Sequence, residues 1–336
     1  MNQVRVAING FGRIGRIAAR IILTRSDLKL VAINSKADSS SHAYLLKYDS
    51  TYGTLKNDIQ PGENRLRIDG ENVDVYQIDT PSEIPWKKSK VDVVIEATGK
   101  YSTSADLNGH LKAGAKRVVL SAPAKDDTKT LVIGVNEKSF DPKVDTIISN
   151  SSCTTNCLAT TLAVIDDAFG VTQGVMTTVH AVTDSQNLLD NSHKKEVRLR
   201  RASFASMIPA STGSANDIGK LFPRLRGFLS CRAIRVPLLT VSLIVLSVWV
   251  DKPTTVESIN SAFRKASAAS MRGVVDVAKD ELVSKDFTGN PHSSIIDPYL
   301  TTVTSPKFAT VYAWYDNEFG YTSRLVDMVS FVGKSS

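Results

Sequence analysis

Nine residues in the middle of the sequence, Ser149-Asn150-Ser151-Ser152-Cys153-Thr154-Thr155-Asn156-Cys157, set a thiol among hydroxyls and amides. A cysteine thiolate is a strong nucleophile near neutral pH, and backbone N–H groups beside it can hold the oxyanion formed when it attacks a carbonyl. The alternative is a buried, inert cysteine; the polar neighbours on both sides argue against it. A second pattern stands near the start, Gly10-Phe11-Gly12-Arg13-Ile14-Gly15. This glycine spacing lets a backbone turn tightly, approach a pyrophosphate and pack a helix closely on a strand. A histidine, His180, ends the β-like run Met176-Thr177-Thr178-Val179. Alone it has no specific meaning.

These groups need elements to position them. Residues 146–148 are apolar and read as a strand. Leu158, Leu162, Val164, Ile165 and Phe169 fall largely on one face of a helix over 158–169, so Ser152 or Cys153 stands where that helix begins. Free N–H groups and the positive end of the helix dipole there favour a thiolate over a thiol. Residues 4–8 read as a strand, and Ile14, Ile17, Ala18, Ile21 and Ile22 as a helix face, so the glycines have the strand–turn–helix setting that dinucleotide binding requires. A second strand over 28–34 ends at Ser35, where NAD-binding chains commonly carry an acidic residue for the ribose hydroxyls. Ser35-Lys36 lacks the charge that repels a 2′-phosphate and offers a hydroxyl and a cation instead; the alternative is neutral change at a turn, with NAD still bound. Residues 65–68 and 73–78 flank Asp69-Gly70 as a hairpin with a type I′ turn. Strands over 91–96 and 117–120 and a helix over 106–115 complete an alternation that predicts a parallel sheet wound on both sides. Beyond the cysteine helix come long β-rich runs at 174–182, 231–237, 241–250 and 308–314, with helices at 256–269 and 321–332. They predict a mostly antiparallel sheet with helices on one face.

The chain has 336 residues, enough for two domains, with 42% hydrophobic and 22% charged residues, ordinary for a globular enzyme. No apolar run is long enough to span a bilayer, and the start reads directly into a strand, so neither membrane span nor signal peptide is expected. Three cysteines without a scaffold pattern suit a reducing, cytoplasmic compartment. The net charge of +7 is spread along the chain and mildly favours phosphorylated ligands; no nucleic-acid-binding signature is present, so nucleic acid is not expected as a partner.

The segment Ser152-Cys153-Thr154-Thr155-Asn156-Cys157 resembles the catalytic segment of phosphorylating glyceraldehyde-3-phosphate dehydrogenases. The resemblance runs from Val6-Ala7-Ile8-Asn9-Gly10-Phe11-Gly12-Arg13-Ile14-Gly15 to Trp314-Tyr315-Asp316-Asn317-Glu318, nearly the whole chain. It implies an α/β Rossmann dinucleotide-binding domain over residues 1–150, an α+β catalytic domain over 151–316, and a helix over 317–336 that packs back on the cofactor domain. It implies Cys153 as nucleophile and His180 as general base. A cofactor, NADP by preference or NAD, would be held by Asn9, Gly10, Gly12, Arg13, Ile14, Gly15, Ser35, Lys36, Thr98, Gly99, Ser121, Ser192 and Asn317. A substrate phosphate would meet Thr183 and Arg235, and inorganic phosphate would meet Ser152, Thr154, Thr212 and Gly213. Further implications are a phosphorylated aldehyde as substrate, inorganic phosphate as acyl acceptor, a homotetramer, and no metal.

Departures from the family pattern mark open points. The family's usual Arg-Arg-Ala-Arg stands here as Arg198-Leu199-Arg200-Arg201, so Leu199 replaces a phosphate-binding Arg, with Arg198 or Arg200 as its substitute. Asn191-Ser192 and Ser35 resemble the NADP-preferring, bacterial-type members. Val245 takes the place of a charge common in the family, a change in subunit packing. The cluster Lys194, Lys195, Arg198, Arg200 and Arg201 reads as a family contact loop rather than a nucleic-acid patch. The rival readings are a non-phosphorylating erythrose-4-phosphate dehydrogenase and a catalytically weak binding protein on the same fold.

Overall fold

The computed structural model describes residues 3–193 and 196–335; Lys194 and Lys195 of the basic cluster lie outside the described residues. The chain divides into two compact units, one formed by residues up to Ser151 together with those from Thr322 onward, the other by Ser152–Tyr321.

The first unit opens with β1 (Val4–Asn9), α1 (Arg13–Ile22), β2 (Leu28–Asn34) and α2 (Ser39–Lys47). A small ribbon, β3 (Tyr48–Asp49) and β4 (Gly53–Thr54), precedes the meander β5 (Ile59–Gly62), β6 (Arg65–Ile68) and β7 (Glu71–Tyr76). Then come β8 (Val93–Glu96), α3 (Ser104–Lys112), β9 (Arg117–Leu120), β10 (Lys129–Thr130) and β11 (Ile147–Ser149). The nine-stranded sheet runs β10-β11-β9-β8-β1-β2-β7-β6-β5. It is parallel from β10 to β7 and antiparallel through the meander. Asp69 and Gly70 both have positive φ, as a type I′ turn between β6 and β7 requires. Period-2 alternation divides β1 between two cores: Val6 and Ile8 pack with Ala18 and Ile22 of α1, whereas Ala7 packs with Val94 and the fully buried Trp86. The alternation explains why helices are needed on both faces. α3 stops at Lys112, short of the predicted end, because Gly114 turns the chain at φ +105.

The last helix, α7 (Phe319–Lys334), contributes Leu325, Val326, Met328, Val329 and Val332 to the same core as β1 and α1. Its polar fastening is also within the first unit. Asp327 meets Arg25 at 2.7 Å, the Val332 carbonyl accepts from Arg117 at 2.8 Å, and Lys334 reaches Asp27 at 2.7 Å. Arg25, with Lys334 and Ser330, holds the Asp27 carboxyl far below the usual carboxylate range against the effect of burial.

The second unit carries α4 (Cys153–Phe169), β12 (Val171–His180), β13 (Ile208–Ala210), α5 (Ser214–Leu221), β14 (Leu229–Arg235) and β15 (Ser242–Val250). It continues with α6 (Val256–Ala268), β16 (Val275–Val277), β17 (Ser294–Ser305) and β18 (Phe308–Tyr315). Its seven-stranded sheet runs β13-β14-β12-β15-β18-β17-β16, antiparallel except for the β14–β12 and β17–β16 pairs. α4 lies on one face of this sheet with α5 and α6 beside it. Among the described residues no helix is long and apolar enough to cross a membrane.

Candidate active site

The chain reaches α4 through a tight turn. Ser151 is held at φ +54, a left-handed conformation uncommon for a side-chain-bearing residue. Ser152 is the N-cap: its Oγ accepts the Thr155 N–H at 3.1 Å, and its carbonyl accepts the Asn156 N–H at 2.9 Å. Cys153 is therefore the first residue of the helix.

Within the second unit, β12 ends at His180 and lies in register with β14, so that His180 pairs with Arg235. Cys153 Sγ is 3.5 Å from His180 Nε2. The other ring nitrogen, Nδ1, is 2.7 Å from the Ala181 carbonyl oxygen and 2.7 Å from Arg235 Nη1. Tyr315 closes β18 with its ring edge-on to the imidazole, centroids 6.1 Å apart. Its hydroxyl lies 2.9 Å from both Thr154 Oγ1 and Thr178 Oγ1. The sequence reading passed over Tyr315; the alternation of β18, which buries Val311, Ala313 and Tyr315, is the signal that points it inward.

Burial lowers the His180 pKa to about 3, and the Arg235 charge acts in the same direction, so the imidazole is neutral near pH 7. A neutral imidazole can accept a proton. Burial works against the helix N-terminus, which favours a thiolate. Burial raises the Cys153 thiol, although the residue keeps an opening to solvent, and this outweighs the opposing Arg235 charge and the hydrogen bonds from Thr154. Cys157 and Cys231 are buried; burial drives the first well above its usual value and the second to about 12.

The remaining predicted groups are distributed unevenly. Thr154 is buried and engaged with Tyr315, while the Ser152 hydroxyl caps the helix and meets Thr155 Oγ1 at 2.9 Å. Thr183 Oγ1 pairs with Ser185 Oγ at 2.9 Å. Thr212 Oγ1 meets Ser214 Oγ at 3.0 Å, and Gly213 caps α5 with open space where a side chain would stand. Ser211 Oγ, next to them, donates to the Glu196 carboxylate at 2.8 Å. Leu199 is buried, Arg201 pairs with the exposed Asp190 at 3.2 Å, and Arg198 lines a cavity of about 590 Å³ with Glu196, Ser211 and Arg232. Ser192 is exposed, its N–H bonded to Asn191 Oδ1. Asn317 is buried, and its Oδ1 accepts from Ser242 Oγ at 2.9 Å.

In the first unit the glycine turn has the shape a pyrophosphate needs. Gly10 is at φ +96, and a Cβ there would come within 2.7 Å of the Ala97 carbonyl oxygen; a Cβ on Gly15 would strike the Gly10 oxygen at 2.1 Å. Gly12 faces open space. Arg13 pairs with Asp49 at 2.5 Å, and Ile14 is half-buried. A buried polar chain supports the turn. Trp86 Nε1–H donates to His110 Nδ1 at 2.9 Å, which leaves Nε2–H for Glu96 at 3.0 Å. Glu96 also accepts from Asn9 at 2.6 Å and from the Thr98 N–H and hydroxyl, and its carbonyl accepts the Ser121 N–H at 2.9 Å. The Asn9 side chain is thereby engaged with Glu96 and Asn34. Gly99 turns at φ +68. Ser35 is half-buried, and Lys36 is exposed with its amine 4.0 Å from Asp79. The residues present fit a dinucleotide.

A Rossmann unit joined to a unit with a cysteine on a helix N-terminus against a neutral histidine is the build of a nicotinamide-dependent oxidoreductase acting on an aldehyde. Residues 4–104 match the family profile described as glyceraldehyde 3-phosphate dehydrogenase, NAD binding domain, and residues 152–317 match that of its C-terminal domain. The chain is 44% identical over 330 residues to glyceraldehyde-3-phosphate dehydrogenase 2 of Bacillus subtilis, covering 98% of this chain and 97% of that protein. It is 46% identical over 328 residues to glyceraldehyde-3-phosphate dehydrogenase 1 of Schizosaccharomyces pombe, covering 97% of each. It is 45% identical over 339 residues to the glyceraldehyde-3-phosphate dehydrogenase of Mycobacterium avium, covering 99% of each. The chain belongs to the glyceraldehyde-3-phosphate dehydrogenase family, and a nicotinamide dinucleotide is its cofactor.

Proposed function

We propose that the chain oxidises glyceraldehyde 3-phosphate to an acyl phosphate, with inorganic phosphate as acceptor. The observation that carries this reading is the Cys153 thiol, 3.5 Å from a neutral imidazole whose other nitrogen meets Arg235. Cys153 Sγ attacks the aldehyde carbon, and its proton passes to His180 Nε2. His180 passes that proton on to the oxyanion, completing the hemithioacetal; the hydroxyl then returns it to Nε2 while the carbon loses a hydride, leaving a thioester on Cys153. A nicotinamide dinucleotide held at the glycine turn would supply the hydride acceptor. A phosphate oxygen attacks the thioester carbon, the C–S bond breaks, and the thiolate leaves. Arg235 meets the substrate phosphate together with Thr183.

NADP is the favoured cofactor in this reading, and the cytoplasm is the setting. An uncharged Ser35 directly follows β2, with the exposed Lys36 beside it. A hydrolytic reading, in which water takes the thioester as in an erythrose-4-phosphate dehydrogenase, is favoured by two observations: Leu199 is buried, and Ser211 is held by a carboxylate rather than a cation.

Initial rates with glyceraldehyde 3-phosphate, comparing NAD with NADP, each with and without inorganic phosphate, test both points. Phosphate-dependent turnover is expected, faster with NADP, with Ser35→Asp moving the preference toward NAD. Turnover indifferent to phosphate would sink the phosphorylating reading. A preference for NAD that Ser35→Asp leaves unchanged would sink the cofactor assignment.

A further inference from the structure

Glu96 ends β8 fully buried, and among the described residues no lysine or arginine forms an ion pair with it. A buried carboxylate is costly unless its lone pairs find donors. Here each oxygen meets two. Oε2 accepts from Asn9 Nδ2 at 2.6 Å and from His110 Nε2–H at 3.0 Å. Oε1 accepts the Thr98 N–H at 2.9 Å and the Thr98 hydroxyl. The Trp86 indole N–H fills His110 Nδ1, so the ring turns Nε2–H toward the carboxylate. Four donors and no acceptor suit a carboxylate; an amide in its place would turn its own N–H groups toward donors.

These donors stand on different parts of the first unit. Asn9 is the last residue of β1 and leads into the glycine turn. Its Oδ1 accepts from Asn34 Nδ2 at 2.7 Å, at the end of β2, and the Asn34 carbonyl accepts the Gly10 N–H at 2.8 Å. Thr98 stands in the turn after β8, and His110 on α3. One carboxylate thus ties together the C-terminal ends of β8, β1 and β2, the edge at which doubly wound sheets bind dinucleotides. The two turns touch: a Cβ on Gly10 would stand 2.5 Å from the Thr98 nitrogen, so a shift of Thr98 is felt at the glycine turn. Thr98 also has no donor left over. Its N–H and hydroxyl both go to Glu96, and its Oγ1 accepts the Lys100 N–H at 3.1 Å.

We propose that Glu96 is a positioning residue for the dinucleotide: it holds the glycine turn through Asn9 and the Thr98-Gly99 turn through both Thr98 donors, and Thr98 acts on the cofactor by shape and not by donating a hydrogen bond. The inference rests on the reading that the dinucleotide lies along the glycine turn. His110, held by Trp86, keeps the second carboxylate oxygen on Asn9 and so completes the set. Turns fixed by bonds internal to the chain need little further ordering when a ligand binds, and affinity gains by that much.

The test is calorimetric titration of the intact protein with NAD and with NADP, beside circular dichroism and a thermal melt of each variant. Glu96→Gln keeps the side-chain shape and leaves buried donors unpaired. Its dinucleotide affinity should fall by about ten- to a hundredfold, the range an unpaired buried donor gives. KM for the dinucleotide should rise with it, while kcat at saturating dinucleotide, KM for glyceraldehyde 3-phosphate and the alkylation rate of Cys153 stay unchanged. An unchanged affinity, or a loss shared by all of these, would overturn the proposal. Thr98→Val and the double variant close a cycle. Thr98→Val should lose affinity too, and the double variant should lose no more than Glu96→Gln; fully additive losses would show that Thr98 meets the dinucleotide directly and overturn the proposal. If Glu96→Gln does not fold, the wild type decides. Residue-resolved hydrogen exchange should find the Thr98 amide equally protected with and without dinucleotide, and protection that arises only on binding would overturn the proposal. A wild type that binds neither dinucleotide removes the reading beneath the inference, whereas a binding wild type matched by Glu96→Gln removes the inference alone.

Discussion

His180 answers to a thiol, a carbonyl and a guanidinium at once, and burial decides its charge. A histidine buried neutral lowers stability in acid, and the sign follows from proton counting. The folded pKa of about 3 lies below the ordinary 6.5. Between those values the unfolded chain binds a proton that the folded one does not, so this contribution is complete above pH 6.5 and is lost as pH falls toward 3. At pH 5 the loss is about 2 kcal/mol. Thermal melts of wild type and His180→Asn should therefore diverge in slope, with the wild type losing more stability between pH 6.5 and 4.5. Parallel curves would mean that the imidazole is not buried neutral. The same substitution should lower kcat by roughly 10²–10⁴-fold at pH 7.5, the range general-base removal gives.

At the scale of elements, the glycine turn is the least forgiving part of the first unit. A Cβ at Gly15 would meet backbone, the Gly10 oxygen at 2.1 Å, rather than a movable side chain. Gly15→Ala should therefore cost about 1–3 kcal/mol of stability, as overpacking does, and weaken dinucleotide binding; a denaturant melt and a cofactor titration check both. An unchanged melt would show that α1 can shift away from the turn without penalty. This turn was readable from sequence because its chemistry is local: three glycines, a preceding apolar strand and a following apolar helix face. β2 and β9 were readable for the same reason, since short apolar runs with clear ends are buried on both faces. β17 was not. Pro298 interrupts it, and its pairing with β18 shifts register between Asp297 and Thr302, so no period-2 pattern survives. α5 was missed because Gly213 offers no side-chain cap and the helix has only eight residues. The site shows the same division. Cys153 at a helix start could be inferred from the residues around it, and His180 through a family pattern. The contact between Arg235 and His180 Nδ1 depends on β12 and β14 lying side by side, with Arg235 55 residues further along the chain, and no local pattern encodes that pairing.

At the scale of the whole molecule, the second unit leaves one face of its sheet without helices. Alternation puts Met176, Ile244, Leu246 and Val311 against α4 and its neighbours, and puts Val175, Val245, Trp249 and Tyr312 on the other side. Val175 is 46% and Trp249 39% exposed, and Trp249 packs on Phe308 with ring centroids 4.4 Å apart. An apolar sheet face of this kind is stable in water only at a cost that association removes. Val245 sits in register between Thr177 and Tyr312, at the centre of that face, and carries no charge to resist a partner. The occupant we expect is the same face of a second copy, since two-fold pairing is self-complementary; a homotetramer needs a second interface besides this one. Light scattering on the wild type should report a homotetramer, and Trp249→Glu should reduce it to a smaller species with an unchanged circular dichroism spectrum. A desolvated carboxylate without a cationic partner opposes association strongly. A tetramer that tolerates Trp249→Glu would place the assembly contacts elsewhere on the chain and leave this face open to solvent.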